Sequence, residues 1–373
     1  MYLCPLVWRP EKVNFSGRFT RLSEISSGSI FTLSGARRRN VKVGDFLFFS
    51  EADGNFLQKH FRRAWIQTII PLALLWRERR RVDLIMCYDA YSSGIAGALL
   101  KVVWGAKLII EVNGDDQNLP TSDGPVRRFL NKVMFRASML FADCVKVVNS
   151  HQEEYMKAHF PEKLLYRFPD FSCIDYLEKL ECSQGDYLLS IGHPFDLKGM
   201  DLLIQGFCLI AWKHPGIKLK IMGFADEAEL KRYKSLANNE ARIEFIKAGW
   251  IEDVAQQLKD CYAFVSASRR EAAARVLFEA MACRKPIISS RTNSGVDYVR
   301  DGETGFTCAV GDAKDLASKL DDLLSNPQKA KEIGECGHRW LMSEFSEERY
   351  MENFIGMLEG LDLKEAHQKG ELR

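Results

Sequence analysis

The sequence lacks the features of a zinc protein, a disulfide-rich secreted domain or a membrane-spanning chain. Its ten cysteines are scattered, with no Cys-x-x-Cys pair and no Cys/His ligand spacing. Free thiols of this kind are typical of a reducing compartment. No basic start and long apolar core precede the first strand-like run, and the longest apolar stretch, residues 65–76, is too short to cross a bilayer. These absences indicate a cytoplasmic protein without a metal site.

Net charge is also small, at +2 over 373 residues, but it is divided unevenly. Residues 1–170 hold 25 Lys and Arg against 17 Asp and Glu, a balance of +8, and the remainder has a balance of −6. A basic half could face an anionic membrane surface or a phosphorylated acceptor, and a solvated face with no partner explains the charge equally well. We expect no nucleic-acid partner.

Short β-branched or aromatic runs alternate with helical stretches along the chain, which is typical of βαβ units and parallel sheets. The length favours two domains, and an irregular, turn-rich stretch over 169–185 marks their boundary. We therefore predict an N-terminal Rossmann-like domain at 1–172 and a C-terminal Rossmann-like domain at 185–345. Residues 346–373 would form a helix that crosses back to the first domain, followed by a charged tail. The cleft between two such domains is the expected site.

Apolar runs bounded by turn residues give the predicted strands. They are 2–7, 29–33, 46–49, 84–88, 107–112 and 144–148 in the first half, and 186–191, 218–222, 243–246, 261–266 and 286–289 in the second. A helical pattern separates most neighbouring strands, so both sheets are expected to be parallel.

The segment from Phe264 to Pro286, FVSASRREAAARVLFEAMACRKP, is the richest in functional groups. A hydrophobic strand ends there, a short loop contains Glu271, and a helix opens around three alanines. The start of a helix offers unpaired N–H groups and partial positive charge, which suit a diphosphate. Glu279 lies further along the helix in an apolar setting, where a carboxylate needs a partner or a ligand. The two carboxylates could hold hydroxyl groups at both ends of a nucleotide-sugar.

The text EAAARVLFEAMACRKP, which begins at Glu271, resembles the E-G-F-G-x4-E-A-M-A-C-G-K-P segment of retaining glycosyltransferases of the family 4 type. Further blocks agree in order and spacing: LLSIGHPFDLKGMDLL from residue 188, LKIMG at 219–223, IEFIKAGW at 243–250 and GVDYVRDGETGF from residue 295. The resemblance implies the GT-B fold, in which two Rossmann-like domains with parallel sheets face each other across a cleft. It also implies that the domain at 1–172 binds the acceptor and that the domain at 185–345 binds the nucleotide-sugar donor. It covers residues 187–324 strongly and the first half only in outline.

The resemblance also implies roles for the matching residues. Lys198 would bind the donor diphosphate, Glu271 would hold hydroxyls of the transferred sugar near the reacting carbon, and Glu279 would bind the ribose hydroxyls. The other implied donor contacts are Gly192, His193, Gly223, the N–H groups of Ala273, Ala274 and Arg275, and Trp250 with Ile251 near the nucleobase. The donor would be a UDP- or GDP-linked sugar, with neither a cofactor nor a metal.

Several residues of this donor segment depart from the family pattern. His193 stands where the family has an arginine, and Arg269, Arg270 or Arg275 could replace that cation. Three alanines stand for Gly-Phe-Gly, and Arg284 stands for a glycine at the end of the helix. These changes bear on the identity of the donor and on catalytic competence.

The first half matches the family less well. Gly17 is the best remnant of a glycine-rich first loop, and a plain turn glycine is the alternative. Asn113 follows a predicted strand where the family often has histidine, and it could hydrogen-bond the sugar. The arginine-rich residues 56–81 could lie on an anionic membrane that carries lipid-linked acceptors, and a core-packing helix with solvated ends is the alternative.

The sequence therefore predicts a retaining, metal-independent hexosyltransferase that moves a sugar from a nucleotide-diphosphate sugar to a glycan or lipid-linked acceptor. Surface polysaccharide or lipopolysaccharide assembly in bacteria is the expected process, at the inner face of the membrane. The alternatives are a GT-B epimerase or phosphorylase, and a degenerate glycosyltransferase that serves as a scaffold. A dinucleotide dehydrogenase is disfavoured because no G-x-G-x-x-G lies at the first strand–helix turn.

Overall fold

The computed structural model describes residues 1–7, 13–34, 39–52, 82–114, 124–224, 227–237, 240–247, 251–273 and 275–363. They form two compact units. The first contains Met1–Cys173 together with the segment from Tyr350, and the second contains Ile174–Arg349. Each unit has one sheet with helices, so the expected pair of Rossmann-like domains is confirmed.

The elements of both units are numbered along the chain. The strands are β1 (Tyr2–Val7), β2 (Gly28–Ser34), β3 (Arg39–Val43), β4 (Phe46–Ala52), β5 (Leu84–Cys87), β6 (Lys107–Val112), β7 (Cys144–Val147), β8 (Leu164–Arg167), β9 (Tyr187–Ile191), β10 (Lys218–Phe224), β11 (Ile243–Lys247), β12 (Ala263–Ser266), β13 (Ile287–Ser290) and β14 (Phe306–Cys308). The helices are α1 (Val13–Leu22), α2 (Ser92–Trp104), α3 (Pro125–Phe141), α4 (Ser150–His159), α5 (Asp175–Glu178), α6 (Met200–Ile210), α7 (Glu227–Leu236), α8 (Ile251–Asp260), α9 (Arg275–Ala282), α10 (Asn293–Tyr298), α11 (Ala313–Ser325), α12 (Pro327–Glu344) and α13 (Glu347–Glu359).

The first unit holds an eight-stranded sheet in the order β3-β4-β2-β1-β5-β6-β7-β8. Its strands pair in parallel, except that β3 runs antiparallel to β4. The sequence patterns did not predict β3, which makes this sheet mixed rather than wholly parallel. A tight turn at Gly44 and Asp45 joins the pair, and Gly44 adopts a φ of +56° that favours glycine.

A buried charged network lies in the core of the first unit. Arg18 on α1 contacts Glu111 on β6 at 2.6 Å, and both side chains are almost completely buried. The Tyr2 hydroxyl donates to the same carboxylate at 2.7 Å, and Lys146 on β7 donates to Asp170 at 2.8 Å. Buried charges are costly unless they are paired. Here two cations and two carboxylates balance each other while they join elements that are distant in sequence.

Helix α13 packs into the same core, although it follows the second unit in the chain. The Tyr350 ring meets the edges of Phe168 and Phe171, with centroids 5.5 and 5.2 Å apart. The Tyr166 hydroxyl donates to the carbonyl of Gly356 at 3.0 Å. Phe354 is 2% exposed within this cluster. The core of the first unit therefore includes side chains from both ends of the described chain.

The second unit holds a six-stranded sheet in the order β11-β10-β9-β12-β13-β14. All its strand pairs are parallel. Every residue of β13 is buried, as expected for a parallel strand covered on both faces. The strand order reverses between β9 and β12, which are neighbours in the sheet. Loops that leave the carboxyl ends of parallel strands at such a switch point form the usual ligand site of open α/β sheets.

Candidate active site

Two loops meet at the switch point of the second sheet. The first loop, residues 192–199, leads from β9 into α6, and the second follows β12 and leads towards α9. The Arg269 amide donates to the Leu197 carbonyl at 2.9 Å. Gly199 has a φ of +63°, and a Cβ atom there would overlap the Ala267 carbonyl oxygen. The two loops are therefore in direct backbone contact, which only a glycine at position 199 allows.

This contact brings together the two side chains on which the sequence prediction most depends. The Lys198 ammonium donates to Oε2 of Glu271. The two side chains are 22% and 15% exposed, so solvent reaches both only in part. The Glu271 carbonyl accepts a hydrogen bond from the Ser294 amide of α10 at 3.1 Å. An ammonium and a carboxylate are thus fixed side by side before the start of α9.

Two glycines make room for the lysine stem. A Cβ atom at Gly192 would lie 2.9 to 3.0 Å from three methylene carbons of Lys198. The Gly192 amide donates to the Met222 carbonyl at 3.0 Å, and a Cβ atom at Gly223 would lie 2.6 Å from the Gly192 carbonyl oxygen. Both glycines have positive φ, +148° and +122°. Their role in the structure is close packing beneath Lys198, and direct contact with a donor stays a prediction.

The structure distinguishes among the cations that could replace the family's arginine. Arg269 donates to both carboxylate oxygens of Asp201, at 2.8 and 2.7 Å, and to the Asp196 carbonyl at 2.7 Å. Hydrogen bonds from Arg269 hold the pKa of the Asp201 carboxyl below its ordinary value. Both terminal nitrogens of this arginine are occupied, so Arg269 joins the two loops and is poorly placed to bind phosphate. Arg275, by contrast, is exposed as the first residue of α9.

His193 lies at the outer edge of the first loop. Its side chain is 49% exposed, and Nδ1 lies 3.5 Å from Oε2 of Glu229. The other oxygen of Glu229 accepts from the Phe195 amide at 3.3 Å. An imidazole in this position can reach solvent, and its contact with a donor phosphate stays a prediction.

Helix α9 carries the second predicted carboxylate. Glu279 is 8% exposed, and its neighbours Phe278 and Ala280 are 2% and 0% exposed. Ala272 is buried and Ala273 half-buried before the helix begins. Ile251 is the first residue of α8, whereas Trp250 and Ala274 lie outside the described residues. The apolar setting that the sequence predicted for Glu279 is therefore present.

The two predicted site residues of the first unit lie on different elements. Asn113 follows β6 and donates through Nδ2 to the Tyr88 carbonyl at 3.2 Å, and its buried Oδ1 has no hydrogen-bond partner within the described ranges. Gly17 lies inside α1, where a Cβ atom would stand 3.1 Å from Cε1 of Phe171. Close helix packing accounts for a glycine at this position. The arginine-rich residues 56–81 lie outside the described residues.

Two residues that position the site were not predicted from the sequence. Asp201 anchors Arg269, and the Ser294 amide fixes the backbone of Glu271. Asp201 carries a weak signal, because an acidic residue in the first turn of a helix is favoured by the helix dipole. Ser294 carries none, although Thr292 before it caps α10 by accepting from the Gly295 amide at 3.2 Å.

Metal ligands and membrane spans were also sought in the described part of the chain. No three His, Cys, Asp or Glu side chains group there as a metal site would require. Among the same residues, no helix combines the length and the apolar character needed to cross a bilayer. Metal-independent transfer stays a prediction.

The two units have the GT-B fold. Sucrose-phosphate synthase from Thermosynechococcus elongatus has the same architecture, with a TM-score of 0.75 and 20% identity over 89% of this chain and 88% of that one. HepE from Anabaena, solved in complex with UDP and glucose, gives a TM-score of 0.71 and 15% identity over 95% and 99% of the two chains. At these identities the similarity establishes the fold alone.

The family is indicated by the second unit. Residues 178–340 match the model of the family described as Glycosyl transferases group 1. An uncharacterized glycosyltransferase of Methanocaldococcus jannaschii is 26% identical over 267 residues, which cover 70% of each chain. The lipopolysaccharide core biosynthesis glycosyltransferase LpsE of Rhizobium meliloti is 27% identical over 172 residues, 46% of this chain and 49% of LpsE. The alignment with LpsE thus spans about half of each protein. Residues 178–340, which lie in the second unit, are therefore similar to group 1 glycosyltransferases.

Proposed function

We propose that this protein is a retaining glycosyltransferase that transfers a hexosyl group from a UDP- or GDP-linked sugar to a glycan or lipid-linked acceptor. The observation that carries the proposal is the contact between Lys198 and Glu271 at the switch point of the second sheet. LpsE is named for lipopolysaccharide core biosynthesis, and HepE was solved with UDP and glucose. The name of LpsE supports a role in the assembly of bacterial lipopolysaccharide or another surface polysaccharide, and the UDP bound to HepE supports only the choice of a UDP-linked donor.

Lys198 is the group best placed to stabilise the leaving diphosphate. Negative charge grows on the phosphate as the bond between sugar and oxygen breaks, and a preorganised cation lowers the barrier because it need not move into place. The Lys198 stem is packed over Gly192 and its ammonium contacts Glu271, so its position is fixed in advance. The amides at the start of α9 and the exposed Arg275 would supply further positive potential.

The two carboxylates would hold the ends of the donor. Glu271 would accept hydrogen bonds from hydroxyls of the transferred sugar, and the Ser294 amide fixes the backbone from which it extends. Glu279 lies eight residues further on and would accept from the ribose hydroxyls. The leaving phosphate would take the proton of the acceptor hydroxyl as that oxygen attacks the same face of the sugar. This route gives retention without a covalent enzyme intermediate.

The first experiment is a screen of UDP- and GDP-sugars for release of free nucleotide, with the product's anomeric configuration read by NMR. Lys198→Ala and Glu271→Ala are each expected to reduce turnover roughly a hundredfold or more, because each removes a preorganised group. The matched control is Lys231→Ala, which removes an exposed lysine of α7 in the same unit. Thermal unfolding should stay close to that of the unmodified protein. Undiminished turnover in either site variant would refute the proposed site, and an inverted product would refute retention.

Calorimetry with UDP and GDP separates an active transferase from a scaffold. A transferase should bind one of the two nucleotides, and Lys198→Ala should weaken that binding. A degenerate scaffold should bind neither. An epimerase would convert the nucleotide-sugar into its epimer without an acceptor glycan and without net release of nucleotide, and a phosphorylase would require free phosphate. Each of these outcomes would replace the proposed transfer reaction with a different one.

A further inference from the structure

Helix α3 is apolar on two opposite faces. Phe135 and Met139 point into the core of the first unit and are 9% and 0% exposed. The opposite face carries large apolar side chains that are exposed by between 48% and 73%: Val126, Phe129, Leu130, Val133 and Leu140. Spacings of three, four and seven residues place them in one stripe along the helix. Contiguous exposed apolar surface on a folded unit marks an interaction site.

Helix α2 extends this surface. It packs beside α3, because the Ser138 hydroxyl donates to the Ala90 carbonyl at 2.6 Å and Lys101 donates to the Phe141 carbonyl at 2.8 Å. Leu99, Val102 and Val103 of α2 are 57%, 70% and 59% exposed. We call these three residues and the stripe on α3 the α2–α3 surface.

The charges of the two helices have one sign. Together they contain five Lys and Arg and no Asp or Glu. Arg128, Lys132 and Arg136 are exposed and recur every four residues, so they form a row along one flank of the α3 stripe. The surface of a soluble domain usually has charges of both signs interspersed. A row of basic residues beside an apolar stripe instead complements a partner that has negative charge at its surface and an apolar layer below that surface, as an anionic bilayer has.

We propose that the α2–α3 surface docks on a bilayer that contains anionic phospholipid. The apolar stripe would enter the boundary between headgroups and acyl chains, while the basic row would contact lipid phosphates. This inference goes beyond the transfer reaction and assigns membrane contact to helices other than the arginine-rich residues 56–81. Its test requires neither a donor nor an acceptor, so its failure would leave the proposed catalytic function standing.

The experiment is co-sedimentation of the full-length protein with vesicles of phosphatidylcholine, alone or mixed with phosphatidylglycerol. Binding is expected only to the mixed vesicles, and it should weaken as salt is raised. In a variant with Arg128→Gln, Lys132→Gln and Arg136→Gln, the partition coefficient for mixed vesicles should fall about a hundredfold. Each Lys or Arg near an anionic membrane increases that coefficient roughly fivefold. A variant with Phe129→Ser and Val133→Ser should bind less even at low salt.

Matched controls come from the second unit. Leu209→Ser with Trp212→Ser removes two apolar side chains that are 49% and 76% exposed. A variant with Lys231→Gln and Lys234→Gln removes two exposed lysines of α7. Both controls should bind vesicles as the unmodified protein does, and thermal unfolding should confirm that every variant is folded. No binding to mixed vesicles, or equal binding by all variants, overturns the proposal. Self-association that is lost in the Phe129 and Val133 variant, without vesicle binding, also overturns it in favour of a protein interface.

Discussion

Replacing Gly199 with alanine tests whether the backbone contact between the two loops holds the site together. Two separate costs follow from the structure. The φ of +63° places a side chain in the left-handed region, which costs about 1–2 kcal/mol for an L-residue. In addition, the new Cβ atom would overlap the Ala267 carbonyl oxygen, so the loops must move apart. Overpacking of this kind typically costs a further ~1–3 kcal/mol.

Gly302 provides the matched control for this experiment. Its φ is +79°, but nothing lies within 4 Å of the position that a Cβ atom would occupy. Gly302→Ala should therefore show only the backbone cost, about 1–2 kcal/mol. Both glycines lie in the second unit, so urea unfolding of that unit reports on both variants. Gly199→Ala should lower the free energy of unfolding by about 1–3 kcal/mol more than Gly302→Ala does.

Catalysis supplies the second measurement. Movement of the first loop would carry Lys198 away from Glu271, so Gly199→Ala should reduce nucleotide release by about tenfold or more. Gly302→Ala should leave the release rate nearly unchanged. Equal destabilisation of the two variants, together with equal activity, would show that the loops separate freely and that their contact does not set the geometry of the site.

Two further predictions concern stability. Arg284, which follows the end of α9, has a φ of +55° that glycine adopts without strain. Its contact with Nε2 of His338 at 3.1 Å and its pair with Glu335 at 3.7 Å would be lost and offset part of the relief, so Arg284→Gly should raise the free energy of unfolding by at most about 1 kcal/mol. A lowered thermal midpoint would contradict the strain. Hydrogen bonds from Arg269 lower the folded-state pKa of Asp201, so their stabilising contribution is present above the ordinary aspartate pKa and is lost as pH falls through the lowered value. Urea midpoints across the acid range should therefore fall less steeply with decreasing pH in Asp201→Asn, and parallel curves would count against this role.

The strands that flank the site were predictable from the sequence alone. The patterns placed β9 at 186–191 and β13 at 286–289, and the structure has Tyr187–Ile191 and Ile287–Ser290. Parallel strands that are buried on both faces have short continuous runs of apolar residues, which are easily told from the amphipathic pattern of the helices between them. The periodicity of the sequence therefore fixes the central part of each sheet to within a residue or two.

The short and peripheral elements were not predictable in the same way. Strand β14 has only three residues, Phe306–Cys308, and its place depends on its register against β13. Helix α10 has six residues, too few for a helical repeat to show. Strand β3 was missed although a signal was present, because Gly44 and Asp45 separate two strand-like runs in the manner of a tight hairpin turn.

In the candidate site, the residues that match the sequence motifs of the family were predictable, and the residues that position them were not. Lys198 and Glu271 were predicted from motifs, and the structure places them in contact. Arg269 was a candidate for phosphate binding, yet it pairs with Asp201, 68 positions away in the chain. That pairing depends on how two loops approach each other in space, which no local pattern encodes.

The presence of α13 in the first core has a consequence for the order of events on the ribosome. Domains made first usually fold first during synthesis. Here Phe168 and Phe171 pack against Tyr350, which is translated after the second unit. The hydrophobic core of the first unit is therefore incomplete until the whole second unit has been synthesised. The second unit is one continuous segment, so it can fold as soon as it has been synthesised. In a chain that ends just before Tyr350, the second unit should therefore resist protease, whereas the first unit, with its core incomplete, should be cleaved.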